Sequence, residues 1–100
     1  MRLNQFEIES IHMLAKKHFG HGTTVFLFGS RMDDQQRGGD IDLFIQNNKE
    51  EYLTIQAKVK YLAELKRKIG DRKIDVVFDN DNTRQKKNFY RSVNKHKIEI

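Results

Sequence analysis

Apolar and polar positions recur along this chain with two different periods, and the switches between them mark out its elements. Across residues 4–19, Leu3, Ile8, Ile11, Leu14, Ala15 and Phe19 form one stripe at about 100° per residue, with Glu7, Glu9, Lys16 and Lys17 off it. That spacing predicts a helix, its acids early and its lysines late as the helix dipole prefers, with Gly20 as the stop. Residues 23–28 and 40–46 read as strands, the second ended by Asn47-Asn48. Residues 49–69 predict the longest helix. Its expected core stripe is Ile55, Val59, Leu62, Leu65 and Ile69, flanked by Tyr52, with Lys60, Glu64, Arg67 and Lys68 on the far side and Gly70 as the stop. Residues 73–78 predict a third strand, 79–83 a turn rich in N-cap residues, 84–94 a last helix, and 95–100 a tail. The order α-β-β-α-β-α predicts one α/β (α+β) domain over 1–100, a small mixed sheet of about three strands with helices packed on it.

Two aspartates disturb the apolar pattern of the second strand. Asp is depleted in strands, and a carboxylate among Ile, Leu and Phe is costly unless something neutralises it. Residues two apart in a strand point the same way, so Asp40 and Asp42 share a face while Ile41, Leu43 and Ile45 share the other. Their Cα atoms would lie about 6.5 Å apart, and side chains leaning together from there can hold a divalent cation. Hard oxygen ligands of this kind suit Mg²⁺. Gly29-Ser30 follows the apolar run Val25-Phe26-Leu27-Phe28, where a turn can present backbone N–H groups, and the Ser30 hydroxyl, to an anion. Asp75, set in Ile74-Asp75-Val76-Val77-Phe78, is a candidate third carboxylate. The structural alternative is that these acids simply pair with Arg31 or Arg37, or face solvent.

Composition narrows the rest. The chain has 100 residues and no cysteine, so there is no disulfide framework and no Cys-based zinc site. No apolar run is long enough to cross a membrane and Met1-Arg2-Leu3-Asn4-Gln5 has no signal-peptide character, which fits a cytoplasmic setting. A formal net charge of +5 suggests an anionic partner. Arg84, Lys86, Lys87, Arg91, Lys95 and Lys97, with Phe89 and Tyr90 between them, would suit weak nucleic-acid contact. The reading preferred here packs Phe89 and Val93 inward and leaves the cations solvated. No Gly-x-x-x-x-Gly-Lys-Ser/Thr loop is present, so a P-loop hydrolase is not supported. His18 falls within the first helix's stripe and reads as a core or boundary histidine rather than a ligand shared with His21. Phe6 and Met13 lie together off that stripe, a mild sign of a partner surface.

Gly-Ser, a short loop, Asp-x-Asp in an apolar strand and a later lone Asp in another strand together resemble the nucleotidyltransferase domain of the DNA polymerase β superfamily. At this length the resemblance is to its smallest branch, the minimal nucleotidyltransferases found beside HEPN-domain proteins in toxin–antitoxin pairs. It implies the nucleotidyltransferase fold, with Gly29 and Ser30 gripping phosphates, Asp40 and Asp42 as paired metal ligands, Asp75 as the third carboxylate, and Arg31 beside the nucleotide. Mg²⁺, as two ions that Mn²⁺ could replace, would be the cofactor and ATP the substrate. The implied reaction transfers AMP to a tyrosine of a HEPN toxin partner, with this chain as antitoxin. Two departures stand out: Met32-Asp33-Asp34 where the family carries a small residue, a basic residue and Gly, and Gly39 where it often carries Ser. The metal ligands are unaffected by them. An antitoxin that works by binding alone, a transferase acting on RNA or a small molecule, and a basic nucleic-acid-binding module are the alternatives.

Overall fold

Asn4 and Glu7 close the start of the first helix reciprocally: the Asn4 side chain accepts from the Glu7 N–H at 2.8 Å, and the Glu7 carboxylate accepts from the Asn4 N–H at 2.9 Å. In the computed structural model, which describes residues 3–29 and 40–100, this helix, α1, spans Gln5–Phe19 and ends at Gly20 with φ +102°. Three strands follow the expected order: β1 (Thr24–Leu27), β2 (Ile41–Gln46) and β3 (Ile74–Phe78). β1 runs antiparallel to β2, and β2 parallel to β3. The fold is the mixed α+β arrangement expected of a nucleotidyltransferase domain, with one strand more than the pattern predicts.

That strand is β4 (Ile98–Glu99), which lies in the expected tail and pairs antiparallel with the outer edge of β1, giving the sheet order β3-β2-β1-β4. Two residues carry no measurable period, so alternation could not have found it. The long helix also differs from expectation. Residues Glu50–Tyr52 form a 3₁₀ turn, and the Thr54 hydroxyl accepts from the Ala57 N–H at 3.0 Å, so α2 spans Ile55–Ile69. The last helix is two helices. Asn80 caps α3 (Asp81–Gln85), and Lys86, at φ −85° and ψ 76°, breaks the run before α4 (Lys87–His96).

Period-two alternation divides the sheet residues between two cores. Val25, Leu27, Ile41, Leu43, Ile45, Ile74, Val76 and Phe78 face α1 and α2. Phe26, Phe28, Phe44 and Val77 face α4, where Val93 and Tyr90 meet them. Tyr61 fills the centre of the first core with no exposed surface, its ring 5.0 Å from that of Phe19 and its hydroxyl donating to the Ile11 carbonyl at 3.1 Å. Burial holds its phenol well above the ordinary value.

Tyr61 also explains the largest correction. The aliphatic stripe expected to bury α2 is only half buried: Leu65 is inside, while Ile55 is 75% and Val59 60% exposed. Tyr61 and Leu65 set the buried direction, and Val59 lies about 160° around the helix from Tyr61. The expected inward packing of Phe89 is likewise wrong, since Val93 is buried and Phe89 remains 39% exposed. Phe6 and Met13 are exposed, as expected. His18 Nε2 donates to the Glu64 carboxylate at 2.9 Å, and its ring sits edge-on to Tyr61. Among the described residues no helix is long and apolar enough to cross a membrane.

Candidate active site

The chain direction of each strand decides which end of the sheet carries the candidate residues. β1 finishes where β2 and β3 begin, so the residue after Phe28 meets the first residues of the other two strands. Asp42 and Asp75 are direct neighbours across the parallel β2–β3 pair. Both belong to the face that carries Phe44 and Val77, away from α1 and α2. Like charges placed opposite each other on adjacent strands are destabilising. Packing therefore gives no reason for this pair.

Gly29 sits directly against the first of these acids. Its φ is +100°, and a Cβ built there would lie 2.6 Å from Asp42 Oδ2. Only glycine allows both the backbone conformation and so close a carboxylate. The Phe28 N–H donates to the Asp42 carbonyl at 3.1 Å, which fixes the end of β1 to the start of β2. Asp40 lies just before β2 rather than within it, and its carboxylate is 3.8 Å from the ammonium of Lys73 at the head of β3. Asp75 is exposed, not enclosed by its apolar strand. Ser30 and Arg31 lie outside the described residues.

The donor chemistry fits a hard divalent cation: carboxylates from two adjacent strands, a third just upstream, and bare backbone at Gly29 beside them. As the side chains stand, no group of three or more His, Asp or Glu among the described residues is gathered around one point. Asp40 turns to Lys73, so the strands bring the acids to one end of the sheet without converging all three.

A second carboxylate constellation, which the sequence reading treated as a turn, occupies the opposite end. Asp79 is buried and accepts from Gln46 Nε2 at 2.6 Å, Arg84 Nη1 at 2.8 Å and the Tyr90 hydroxyl at 3.0 Å. Arg84 also donates to both oxygens of Glu50, at 2.9 and 2.8 Å. The Glu50 carboxylate and then Asp79 and Asp81 raise its guanidinium above the ordinary value, outweighing desolvation. This network ties β2, β3, α3, α4 and the 3₁₀ turn together. A polar recess of about 320 Å³ lies beside it, lined by Thr24, Gln46, Asn47, Glu50 and Asp79 among others.

The model of the polymerase β nucleotidyltransferase family matches residues 9–100. The chain belongs to that family. The matched span takes in both ends of the sheet, and with it Gly29, Asp40, Asp42 and Asp75. None of the curated proteins compared with the chain matches it. As a polymerase β-type nucleotidyltransferase domain, the chain is a transferase at the coarse level. Domains of this family generally use a nucleotide and divalent metals.

Proposed function

We propose that this chain is a Mg²⁺-dependent nucleotidyltransferase that moves AMP from ATP to a hydroxyl. The acceptor is a tyrosine of a HEPN-domain toxin, and the chain serves as that toxin's antitoxin. The observation that carries the reading is the Asp42–Asp75 neighbour pair with Gly29 pressed against Asp42, in a chain of this family.

In this reading Gly29, with Ser30 and Arg31 after it, holds the phosphates that leave as pyrophosphate. Asp40 and Asp42 would hold the metal, with Asp75 completing its ligands. Bound Mg²⁺, as two ions or with Mn²⁺ in their place, would supply charge neutralisation for the triphosphate. Asp75, exposed on its strand, can meet an incoming acceptor and take its proton. The acceptor oxygen forms a bond to the α-phosphorus as the bond from that phosphorus to the bridging oxygen breaks. AMP is left on the acceptor.

Mass spectrometry of the partner, co-expressed with wild type and with Asp42→Asn, tests this. Wild type should add one or more AMP units, and Asp42→Asn none. Ser30→Ala, which loses one hydrogen bond to a charged group worth about 1.5–3 kcal/mol, should retain measurable transfer. A partner silenced equally by all three chains and never modified would make the chain a binding antitoxin instead.

A further inference from the structure

We infer that the outward face of α2 beside the free edge of β3 is a docking surface for a protein partner presenting an amphipathic helix with acidic flanks. Ile55 and Val59, at 75% and 60% exposure, are the two most exposed large apolar residues in the described structure. They lie four apart, on one line of the helix.

The position of the line follows from the helix's other contacts. Glu64 turns toward α1, where it accepts from Lys17 at 3.0 Å and meets His18 at 2.9 Å. Tyr61 and Leu65 point into the core. Lys58 reaches β3, its ammonium 5.9 Å from the centre of the Phe78 ring. Continuing around the helix in the same sense brings Leu62, then Ile55, then Val59 to the side away from α1. β3 is the terminal strand of the sheet and pairs only with β2, so among the described residues no further strand lies on this side.

Charge selects the occupant. Lys58 borders the apolar line on the β3 side, Lys66 continues it by two turns, and Arg67 and Lys60 lie further round on the solvent side, beyond Ala63 and Gln56. The one acid in α2 is Glu64, which faces α1. Among the described residues, no salt bridge holds Lys58, Lys60, Lys66 or Arg67. Two copies of this face would oppose one basic rim to another, which disfavours self-association. Exposed Asp75 on β3, with exposed Lys73 just before it, blunts the strand edge against an added strand. An apolar helix face flanked by Glu or Asp answers both the line and its rim. Asp42 and Asp75 belong to the sheet face away from α2, and the inference stands whether or not the chain transfers a nucleotide.

The test uses the full chain and two lactam-stapled amphipathic peptides with the same leucine stripe, one flanked by glutamates and one by lysines. Stapling removes the cost of ordering the helix. Amide shifts on titration should follow the glutamate-flanked peptide alone and centre on residues 55–66 and β3. Val59→Glu, at a position too exposed to disturb the core, should weaken that binding at least tenfold, and Lys58→Glu with Lys66→Glu should reduce it and its salt dependence together. No binding of the glutamate-flanked peptide, equal binding of the lysine-flanked one, or shifts centred elsewhere would overturn the inference. So would a concentration-dependent dimer of the free chain that Val59→Glu abolishes, since a second copy would then be the occupant.

Discussion

The same pair of strands carries two acid-bearing ends that are built in opposite ways. At one end Asp42 lies beside Asp75; four residues further along each strand, on the same face, Gln46 donates to Asp79 at 2.6 Å. Asp79 is buried and has three side-chain donors. Asp75 is exposed, and no described residue gives it a hydrogen bond or ion pair. An acid whose acceptor positions are filled from within the fold holds elements together. An acid left beside another acid costs stability and keeps its oxygens for something that arrives from outside. The two ends show that carboxylates on strands are not informative by type; their partners distinguish an acid that ties elements together from one that does not.

Exchanging the effects of Asp75 and Asp79 would break that comparison most directly. Asp75→Asn should lower nucleotidyl transfer by about 100-fold or more, because a group acting on the developing charge is lost. Its stability to urea should be unchanged or higher by up to about 1 kcal/mol, since a like-charge neighbour is removed. Asp79→Ala should instead lower stability by about 3 kcal/mol, leaving Arg84, Gln46 and Tyr90 without their common acceptor. Equal destabilisation by the two would mean that Asp75 is structural after all.

Gly29→Ala sharpens the same contrast at the backbone. A side chain there meets a φ of +100° and an oxygen of Asp42 at 2.6 Å, so the turn or the carboxylate must move. The expected cost is about 1–3 kcal/mol of stability, with transfer lost beyond what that instability explains. Gly70 has the same φ, of +101°, with nothing within 4 Å of the position a Cβ would take. Gly70→Ala should therefore show the backbone cost alone. Thermal melts of both variants beside a transfer assay separate strain from the contact with Asp42.

The aspartate end was legible in the sequence because it violates a local rule. Acids interrupting apolar strands at Asp42 and Asp75, with Asp40 just ahead of the first strand, are visible without coordinates, and Gly29 stands at the close of the preceding run. The Asp79 network was not legible, because its members follow every local rule. Asp79 and Arg84 sit in a polar turn, Gln46 ends a strand, and Tyr90 is an aromatic on a helix; only the fold brings them together. The helix α2 misled for another reason. Counting aliphatic residues alone aligned Ile55 and Val59 with Leu65, while the bulkiest side chain, Tyr61, set which way the helix turned. The strand β4 was too short for any period to show.

Within the Asp79 end, Tyr90→Phe isolates one donor. The ring keeps its place 6.2 Å from that of Phe44, and only the hydroxyl's bond to Asp79 is removed. A hydrogen bond to a charged group is worth about 1.5–3 kcal/mol, and Asp79 keeps two other donors, so the loss should fall near about 1.5 kcal/mol in urea unfolding. Transfer activity should be unaffected, because the proposed reaction takes place at the other end of the sheet. A Tyr90→Phe chain as stable as wild type would mean that Gln46 and Arg84 alone satisfy Asp79.

The smallest effect is expected at Glu64, another carboxylate with partners, on the α1–α2 contact. Lys17 donates to both of its oxygens at 3.0 Å and His18 meets it at 2.9 Å. The bond from Lys17, followed by that from His18, lowers its pKa below the ordinary 4.5. A carboxyl that holds its proton less tightly when folded stabilises the fold wherever the unfolded chain would ionise it too, and that contribution is lost as pH falls through the folded value. Glu64→Gln should therefore be less stable than wild type at neutral pH, and the two should converge as pH is brought below 4.5. Added salt should narrow the neutral-pH gap, since the Lys17 ammonium is largely exposed. Urea midpoints of both chains between neutral pH and acid measure the convergence. A gap that stays constant across that range would assign the loss in Glu64→Gln to packing between α1 and α2 rather than to charge, and would remove Glu64 from the class that Asp79 defines.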